Sequence, residues 1–500
     1  MQRILLLALL LALSVTGCEK DRIETTAAPT EPLTRSALNA LVEDHLQTTD
    51  RVFDWNDASD QVVWSALTLS DREAVLGYQP ADFENLPDRI HEIEVTAGEW
   101  KTTRDRLVAD LRAATERLTG EAPTDEELFV APEDGVLPIL EVRILHPGVL
   151  AEFRRRPEVR YLEPSNYSPE EIEFRSDSGC SGAPAANLDG EDYYTVAPGA
   201  KVSWTYEPMG IPQAWTRSQG DNIGICIIDS GTYPEQDRLN GNFGNGRELT
   251  RLGVYQPSWW SSRTDGPDDQ CGHGTQMAGL AAAPLTGTGS SVGVAYKSDL
   301  LAIRATSDVI INASKEKRGV KDALVIAGQD AGTQIVSMSI GDVFSSGTVK
   351  DGVYYAHNRG KMILAAAGTS LSWTSWYGVI FPASMNETVA VTGIQTGTPY
   401  LRCNTCHDGS EVDFVAVMQR REDNGRSTIT LSRNGATPGY VGGSSAATAT
   451  TAGIAALVWA TNPGQTREQV LQRMKAASSL YPGRSGDFGW GIVNADLATR

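Results

Sequence analysis

Three short motifs, each with a polar residue next to glycine, constrain the C-terminal part of this 500-residue chain more than any other feature. They read CIIDSGT at 226–232, CGHGTQMAG at 271–279 and GGSSAATATTAG at 442–453. Asp229 ends an apolar run of the kind found in strands that are buried on both faces. His273 and Ser445 open small-residue stretches that we interpret as helices. The pattern predicts an α/β fold with a mainly parallel sheet covered by helices on both faces.

Asp229, His273 and Ser445 are residue types that together make an activated nucleophile. A serine hydroxyl is a poor nucleophile until a neighbouring imidazole takes its proton, and that imidazole needs a buried carboxylate to fix its tautomer. Singly, each residue has a structural explanation, since Asp or Ser can cap a helix and His can occupy a turn. Their joint occurrence beside glycines, which let a backbone approach a substrate closely, favours the catalytic interpretation.

The order Asp, His, Ser along the chain is that of subtilisins and differs from the order in chymotrypsin-like enzymes and α/β-hydrolases. Further blocks follow in the order typical of one family. They are YEPMGIPQAW at 206–215, IVSMSIG at 335–341, MILAAAGT at 362–369, FPAS at 381–384, VDFVAV at 412–417 and GWGIVNADLA at 489–498. Over residues 201–500 the chain therefore resembles the subtilisin-like serine protease (subtilase) family, and FPAS and VDFVAV resemble core strands of its catalytic domain.

The resemblance implies a serine endopeptidase that hydrolyses peptide bonds of protein or peptide substrates and needs no cofactor for its chemistry. It implies a three-layer subtilisin-like domain in which Ser339, Ile340 and Gly341 add an extended substrate as a strand at the sheet edge. Ala367 and Gly368 would form part of the primary specificity pocket, where their small size leaves room for a sizeable side chain.

One position departs from the family pattern, because Thr369 stands where subtilases usually have an asparagine that donates to the oxyanion. Losing such a donor costs on the order of 3 kcal/mol of transition-state stabilisation. Threonine retains one O–H donor, and the backbone N–H of Ser445 remains the second donor. The departure motivates an alternative function, a catalytically weak lipoprotein that binds peptides through a subtilase fold.

The N-terminus predicts export. An apolar run over Ile4–Leu13 follows a positive start and precedes VTGC at 15–18, which together form a signal too short to span a bilayer. VTGC resembles a bacterial lipobox, which implies that residues 1–17 are removed and Cys18 is acylated; the alternative is an ordinary signal peptide with an incidental cysteine. Because Glu19 is not the aspartate that retains lipoproteins in the inner membrane, an outer-membrane anchor is favoured.

Between this signal and the catalytic domain the pattern changes several times. Strand-like alternation occurs at HEIEV (91–95), LPILEVRIL (137–145) and PEVRYLEPS (157–165), and helical spacing occurs at 104–118 and 148–155. PEVRYLEP resembles the end of subtilase propeptides, which occupy the peptide-binding cleft.

The predicted segments are a signal peptide (1–17), a flexible tether (18–35), a helical N-terminal region (36–90), a propeptide-like inhibitor domain with an α+β ferredoxin-like fold (91–166), an exposed cleavable linker (167–200) and the catalytic domain (201–500).

The cysteines and the charge add four expectations. A net charge of −20 excludes a nucleic-acid partner. In an exported protein we expect oxidised cysteines, with Cys226 free in its buried strand, Cys403 paired with Cys406 and Cys180 with Cys271. CNTCH at 403–407 also matches a c-type haem attachment motif, so a haem-bearing redox protein is a further alternative.

Structural calcium is common in the resembled family, and the acidic loop Asp265–Asp269 could supply ligands although its spacing specifies no site.

Overall fold

The computed structural model describes residues 31–169, 180, 182–241, 243–244, 246–256, 264–370 and 376–500. The predicted lipidation site Cys18 and most of the predicted tether lie outside these residues. Within them, no helix is both long and apolar enough to cross a lipid bilayer.

An α+β unit occupies residues 31–169, which we call the N-terminal part. Its elements are α1 (Arg35–Thr49), α2 (Asp60–Thr68), β1 (Glu73–Tyr78), α3 (Leu86–Arg89), α4 (Gly98–Thr119), α5 (Asp125–Leu128), β2 (Ile139–Arg143), α6 (Pro147–Phe153) and β3 (Val159–Pro164). The strands form an antiparallel sheet in the order β2-β1-β3. A single bridge between Phe129 and Val142 extends the β2 edge, where a ferredoxin-like fold would have a fourth strand. The helices predicted at 104–118 and 148–155 correspond to α4 and α6.

The strand predicted at 91–95 is wrong, because the first strand of this sheet is β1, inside the region predicted to be helical. Residues 91–95 form turns, in which Glu92 N–H donates to Arg89 O at 2.9 Å. All six residues of β1 are buried because both faces of the strand are covered: Ala74 and Leu76 lie in the core of the N-terminal part, and Val75 packs with Ile139 and Tyr161 in a separate cluster. A strand buried on both faces has no alternation to read, which is why the sequence pattern missed it. Residues from Leu38 to Tyr167 share one hydrophobic core, so α1, α2 and the sheet form one unit.

A larger α/β unit follows from residue 182, which we call the C-terminal part. Its strands are β4 (Tyr193–Val196), β5 (Ala200–Ser203), β6 (Gly224–Asp229), β7 (Leu249–Gly253), β8 (Asp299–Arg304), β9 (Thr333–Met338), β10 (Met362–Ala366), β11 (Thr388–Gln395), β12 (Val412–Gln419), β13 (Thr428–Thr430) and β14 (Gly439–Val441). Its α-helices are α7 (Ile211–Ala214), α8 (His273–Ala282), α9 (Ser314–Gln329), α10 (Gly347–Asn358), α11 (Gly443–Ala460), α12 (Arg467–Ala476) and α13 (Ala495–Ala498), and 3₁₀-helices cover Trp204–Met209 and Asp237–Leu239. Within the described residues, seven parallel strands form one sheet in the order β12-β11-β10-β9-β6-β8-β7.

The interior strand β6, which lies between β9 and β8, separates two hydrophobic cores. Ile225 and Ile227 belong to the core on the face covered by α8 and α11. Cys226 and Ile228 belong to the core on the other face, which is covered by α9 and α10. Side chains alternate across a strand, so one apolar run serves both layers. The predicted three-layer α/β architecture is confirmed.

Glycine brings α11 close to the rest of the C-terminal part. A Cβ atom at Gly453 would lie 2.5 Å from Cβ of Val294, closer than two carbon atoms can approach. The small residues that open α8 and α11 therefore set the separation between these helices and their neighbours. This packing brings the first turn of α11 towards the ends of β9 and β10.

Two predictions about the C-terminal part are wrong. FPAS at 381–384 is a turn after a single bridge from Phe381 to Asp342, because proline has no N–H with which to continue a ladder. The predicted exposed linker is wrong for residues 192–200, which belong to the fold, whereas residues 183–191 are mostly exposed. Asp192 is fully buried and pairs with Arg420 and Arg426, and β4 pairs with β5.

Candidate active site

Asp229 and His273 meet at the carboxyl end of β6, an edge where parallel sheets commonly carry their functional groups. The Nδ1–H of His273 donates to Oδ1 and Oδ2 of Asp229 at 2.8 and 3.0 Å. Asp229 is 1% exposed and His273 is 3% exposed, so water competes little for this bond. With its proton on Nδ1, a neutral His273 has Nε2 free to act as a base.

The electrostatics of the pair favour a charged imidazole. Burial alone would lower the pKa of His273, but the charge of Asp229 and the hydrogen bond to it outweigh burial and raise the pKa above its ordinary value. Because a carboxylate favours the protonated imidazole, the pair is suited to accept a proton and stabilise the resulting cation.

The loop before His273 is organised by Asp269, whose role the sequence pattern did not indicate. Its Oδ1 accepts hydrogen bonds from Cys271 N–H, Gly272 N–H and the Ser230 hydroxyl, at 2.9, 2.7 and 2.9 Å. Its Oδ2 accepts from the N–H and hydroxyl of Thr275 at 3.0 and 2.6 Å. The buried Asp269 carboxylate therefore fixes the backbone before and after His273. The sequence DDQCGHGT at 268–275 contains a pattern that could have indicated this role. An Asp four residues before a His that begins a helix can accept hydrogen bonds from the backbone N–H groups between them.

Ser445 lies in the first turn of α11, next to the predicted substrate-binding segment. Its hydroxyl donates to Ser339 O at 3.3 Å, and the Ser339 hydroxyl donates to Ser445 O at 3.0 Å. Among the described residues no hydrogen bond joins Ser445 to His273. The structure thus joins two members of the predicted triad directly and turns the third toward Ser339.

The two predicted oxyanion donors lie close together at the start of α11. The Ser444 hydroxyl donates to Gly368 O at 2.7 Å and accepts from Gly368 N–H at 3.2 Å, so it ties this turn to the strand end before Thr369. Thr369 is exposed, and its Oγ1 lies 3.5 Å from Oγ of Ser444. The first N–H groups of a helix lack intrahelical partners and carry partial positive charge, so this corner attracts an anion. The sequence pattern did not indicate this role of Ser444.

The space beside Gly368 is filled by the chain itself. A Cβ atom at Gly368 would lie 2.6 Å from Nδ1 of His407 and 2.9 Å from Cγ2 of Ile380. His407 is fully buried, bonds Gly378 O through Nδ1 at 2.8 Å, and has its pKa lowered by burial to about 4. A neutral His407 ring therefore supports Gly368 from behind. The specificity pocket at Ala367 and Gly368 stays a prediction.

The predicted cysteine pairing is confirmed. Cys180 bonds Cys271, Cys403 bonds Cys406, and Cys226 is a free thiol whose pKa is raised by burial. Thioether attachment of haem needs both cysteines of CNTCH free. Because they form a disulfide and the following histidine packs behind Gly368, the haem alternative is wrong.

The acidic loop uses its carboxylates within the fold. Asp265 pairs with Arg304 at 2.6 Å and Asp268 with Arg251 at 2.7 Å, while Asp269 caps the His273 loop. In the parts of the chain that the structure describes, no group of three or more His, Cys, Asp or Glu side chains could hold a metal ion. Structural calcium stays a prediction without an assigned site.

Comparison with known proteins agrees with this fold. Residues 220–491 match the family model described as the subtilase family. The chain is 29% identical over 315 residues to the minor extracellular protease Epr of Bacillus subtilis, a match that covers 61% of this chain and only 44% of Epr. It is 28% identical over 381 residues to an alkaline protease of Alkalihalobacillus alcalophilus, covering 75% of this chain and 86% of that protein.

Among solved structures, fervidolysin from Fervidobacterium pennivorans, described as a keratinolytic enzyme related to subtilisin, matches with a TM-score of 0.58. The identity is 18%, and the match covers 85% of this chain and 60% of fervidolysin. Such a likeness concerns the fold alone, and its extent means that it includes residues of the N-terminal part. Because the family match covers more than half of the 500 residues and the fold agrees with it, the chain belongs to the subtilase family.

Proposed function

We propose that this chain is an exported serine endopeptidase that cleaves peptide bonds with Asp229, His273 and Ser445. The buried hydrogen bond between Asp229 and His273 is the observation that carries the proposal, because it fixes the imidazole with Nε2 free to act as a base. Membership of a family with protease relatives supports the same reaction.

The proposed reaction begins when the Ser445 side chain rotates from Ser339 O toward Nε2 of His273. Nε2 takes the hydroxyl proton while the serine oxygen bonds the substrate carbonyl carbon. Asp229 stabilises the imidazolium, which then gives the proton to the leaving amine. Water attacks the resulting ester by the same steps and releases the acid product.

The oxyanion would lie at the start of α11, between the Ser445 N–H and the Thr369 hydroxyl. Thr369 is exposed and its contact with Ser444 is long, so its hydroxyl is available to a bound anion. Gly368 and Ser444 hold the backbone of this corner through two hydrogen bonds. Donors that are fixed before the reaction stabilise developing charge without reorganisation.

A catalytically weak peptide-binding lipoprotein is the second candidate. Two observations favour it, the Thr369 substitution and the hydrogen bond that turns Ser445 away from His273. The candidates differ in reactivity, because a fluorophosphonate labels only a serine that its base can activate.

The N-terminal part would act as an inhibitory propeptide, since it docks along α9 and α10. Glu163 accepts from Gly347 N–H at 2.7 Å at the start of α10, where the helix dipole favours a carboxylate. Arg160 pairs with Asp351 at 2.6 Å. These contacts join β3, the strand that resembles the end of subtilase propeptides, to the catalytic unit.

Further ion pairs join the same two parts. Lys321 pairs with Asp134, and Arg318 pairs with Glu141. All four side chains are mostly buried, so salt screens these pairs less than surface pairs.

An aromatic cluster strengthens this docking. Phe344 stacks on Trp55 with centroids 5.2 Å apart and contacts Phe53 and Tyr167 edge-on. Beside it, Phe53 N–H donates to Val343 O at 2.8 Å and Ser345 N–H donates to Phe53 O at 2.9 Å. The N-terminal part should therefore remain bound after cleavage in the predicted linker.

We propose a lipid-anchored location at the outer membrane, through acylated Cys18. The two disulfides fit an oxidising compartment, and Epr and its relatives are named as extracellular or alkaline proteases. If the N-terminal part stays docked, the anchor also retains the catalytic part. Membrane association should then be lost in Cys18→Ser protein.

The triad assignment predicts that Ser445→Ala, His273→Ala and Asp229→Asn each lower kcat by at least about 10⁴-fold while the protein stays folded. Labelling by a fluorophosphonate should occur in wild type and fail in Ser445→Ala. Ser444→Ala is the matched control, because it should keep the label although it loosens Gly368. A folded Ser445→Ala protein with near-normal hydrolysis would end the assignment.

The raised pKa of His273 predicts the pH dependence of activity. The base must be neutral, so kcat/KM should fall as the pH drops through a midpoint above the ordinary value of 6.5. Asp229→Asn removes the stabilising charge and should move that midpoint to lower pH. The substitution His357→Gln, in α10, is a control and should leave the profile unchanged. An acidic midpoint well below 6.5 in wild type would contradict the role of Asp229.

Thr369 should act as an oxyanion donor. Thr369→Val keeps the shape but removes the O–H, and should cost about 1.5–3 kcal/mol of transition-state stabilisation with KM nearly unchanged. Thr369→Asn should preserve or raise kcat. Equal kcat in Thr369→Val and wild type would assign the oxyanion to the Ser445 N–H alone.

The docking of the two parts should depend on Phe344. In Ser445→Ala protein carrying a cleavable sequence between Pro169 and Cys180, cutting should leave the two parts together on gel filtration. Phe344→Ala removes three aromatic contacts and should weaken their association at least tenfold. Phe83→Ala, whose ring contacts Trp100 within the N-terminal part, is the matched control. Separation of the wild-type parts at micromolar concentration would refute stable docking.

A further inference from the structure

The backbone at Gly341 is already paired, although the sequence predicts that it receives substrate. A peptide can be added to a sheet edge only where N–H and C=O groups are free. Here Gly341 N–H donates to Val309 O at 3.0 Å, and Ile311 N–H donates to Gly341 O at 3.2 Å. Both hydrogen-bonding groups of Gly341 are therefore held by the segment Val309–Ile311, which we call the plug.

The residues after Gly341 offer no alternative edge. Asp342 exchanges both backbone hydrogen bonds with Phe381, each at 2.9 Å. The Asp342 carboxylate accepts from Val343 N–H at 2.7 Å and from Phe344 N–H at 3.5 Å. Ser345 N–H donates to Phe53 O. Every backbone N–H from 341 to 345 thus has a partner inside the chain.

The plug is anchored. Ile311 is 1% exposed and belongs to the core between the sheet and α9 and α10. Asp308 holds the preceding turn, since its carboxylate accepts from Ile310 N–H at 2.8 Å and its carbonyl from the Thr306 hydroxyl at 2.6 Å. Displacing the plug would expose a buried isoleucine and break both hydrogen bonds to Gly341, so the paired state is favoured.

Gly341 cannot move away from the plug either. A Cβ atom there would lie 2.5 Å from Cδ1 of Ile380 and 2.6 Å from Phe381 O, so the backbone is already tight against the opposite neighbour. The segment lies between the plug on one side and residues 380–381 on the other.

The position of Gly341 relative to Ser445 defines which substrate residue is affected. Oγ of Ser445 is 3.3 Å from Ser339 O, so the residue whose carbonyl is attacked (P1) would lie beside Ser339. Residues two apart in an extended strand face the same edge. Gly341 would therefore meet the residue two positions before the attacked one (P3).

We propose that the plug prevents strand pairing at P3, so the enzyme recognises the acyl side of its substrate through P1 and P2 only. Val309 and Ile311 are then specificity-determining residues, and suitable substrates need no extended stretch before the cleaved bond. The inference rests on the proposed peptidase function.

Kinetics with a peptide series test the proposal. N-acetylated substrates of two, three and four residues, all with the same P1 residue and leaving group, are compared by kcat/KM. The enzyme is the full chain, assayed after its activity has reached its maximum. We expect the four-residue substrate to exceed the two-residue one by less than threefold. Replacing the P3 amide by an ester should change kcat/KM by less than twofold. A rise above about thirtyfold on extension would overturn the proposal.

A variant pair examines the plug directly. Ile311→Ala removes the buried anchor and should raise the ratio of the four-residue to the two-residue substrate above tenfold. Ile310→Ala is the matched control, because the Ile310 side chain lies outside the core, and should leave that ratio as in wild type. An unchanged ratio in folded Ile311→Ala protein would contradict the anchoring role of that side chain.

Hydrogen exchange separates failure of this inference from failure of the proposed function. In Ser445→Ala full chain, peptides covering 306–313 and 339–346 should be protected from exchange without any substrate. A four-residue peptide amide should leave this protection unchanged. Rapid exchange at both segments overturns the plug even if the enzyme is active. If the wild-type chain neither hydrolyses peptides nor reacts with a fluorophosphonate, protection of both segments still supports the plug and only the peptidase function is rejected.

Discussion

Close packing of small residues around β6 is the constraint on which the site depends. Asp229 ends this strand, and α8 and α11 cover the same face of the sheet. Glycine at the contacts of α11 lets it lie near enough for its first turn to reach Ser339 and Gly368. A larger residue at such a contact would move Ser445 away from His273 without touching either. The geometry of the site is thus set by core packing as much as by the side chains of the proposed triad.

Much of this arrangement could be predicted from the sequence because local patterns carry it. The apolar run before Asp229, the small residues after His273 and Ser445, and the cysteine positions each specify a feature that the structure contains. The strand β1 was not predicted, because a central strand buried on both faces shows no alternation of apolar and polar residues. The roles of Asp269 and Ser444 were missed for another reason. Most of their hydrogen-bond partners are backbone groups, which a sequence pattern does not distinguish from one another.

The N-terminal and C-terminal parts contact each other largely through backbone groups and side chains whose partners cannot be identified from sequence patterns. The backbone of Phe53 bonds Val343 and Ser345, and Glu163 caps the start of α10. Nearly two hundred residues separate Glu163 from its partner in α10. The plug pairs with Gly341 in the same manner within the C-terminal part. Every backbone N–H group from 341 to 345 is therefore bonded within the chain, and the shortened substrate-binding track that we propose is a consequence of the fold itself.

The disulfide between Cys180 and Cys271 links two residues that are 91 positions apart. Closing a loop of that length lowers the entropy of the unfolded chain by an amount worth about 4–5 kcal/mol at room temperature. The bond forms only where thiols can be oxidised, so the same polypeptide has a smaller free energy of unfolding in a reducing cytosol than beyond it. Because Cys271 lies two residues before His273, the loop that carries His273 is less constrained before the cysteines are oxidised. The redox state of the compartment therefore contributes to the folding equilibrium that forms the site.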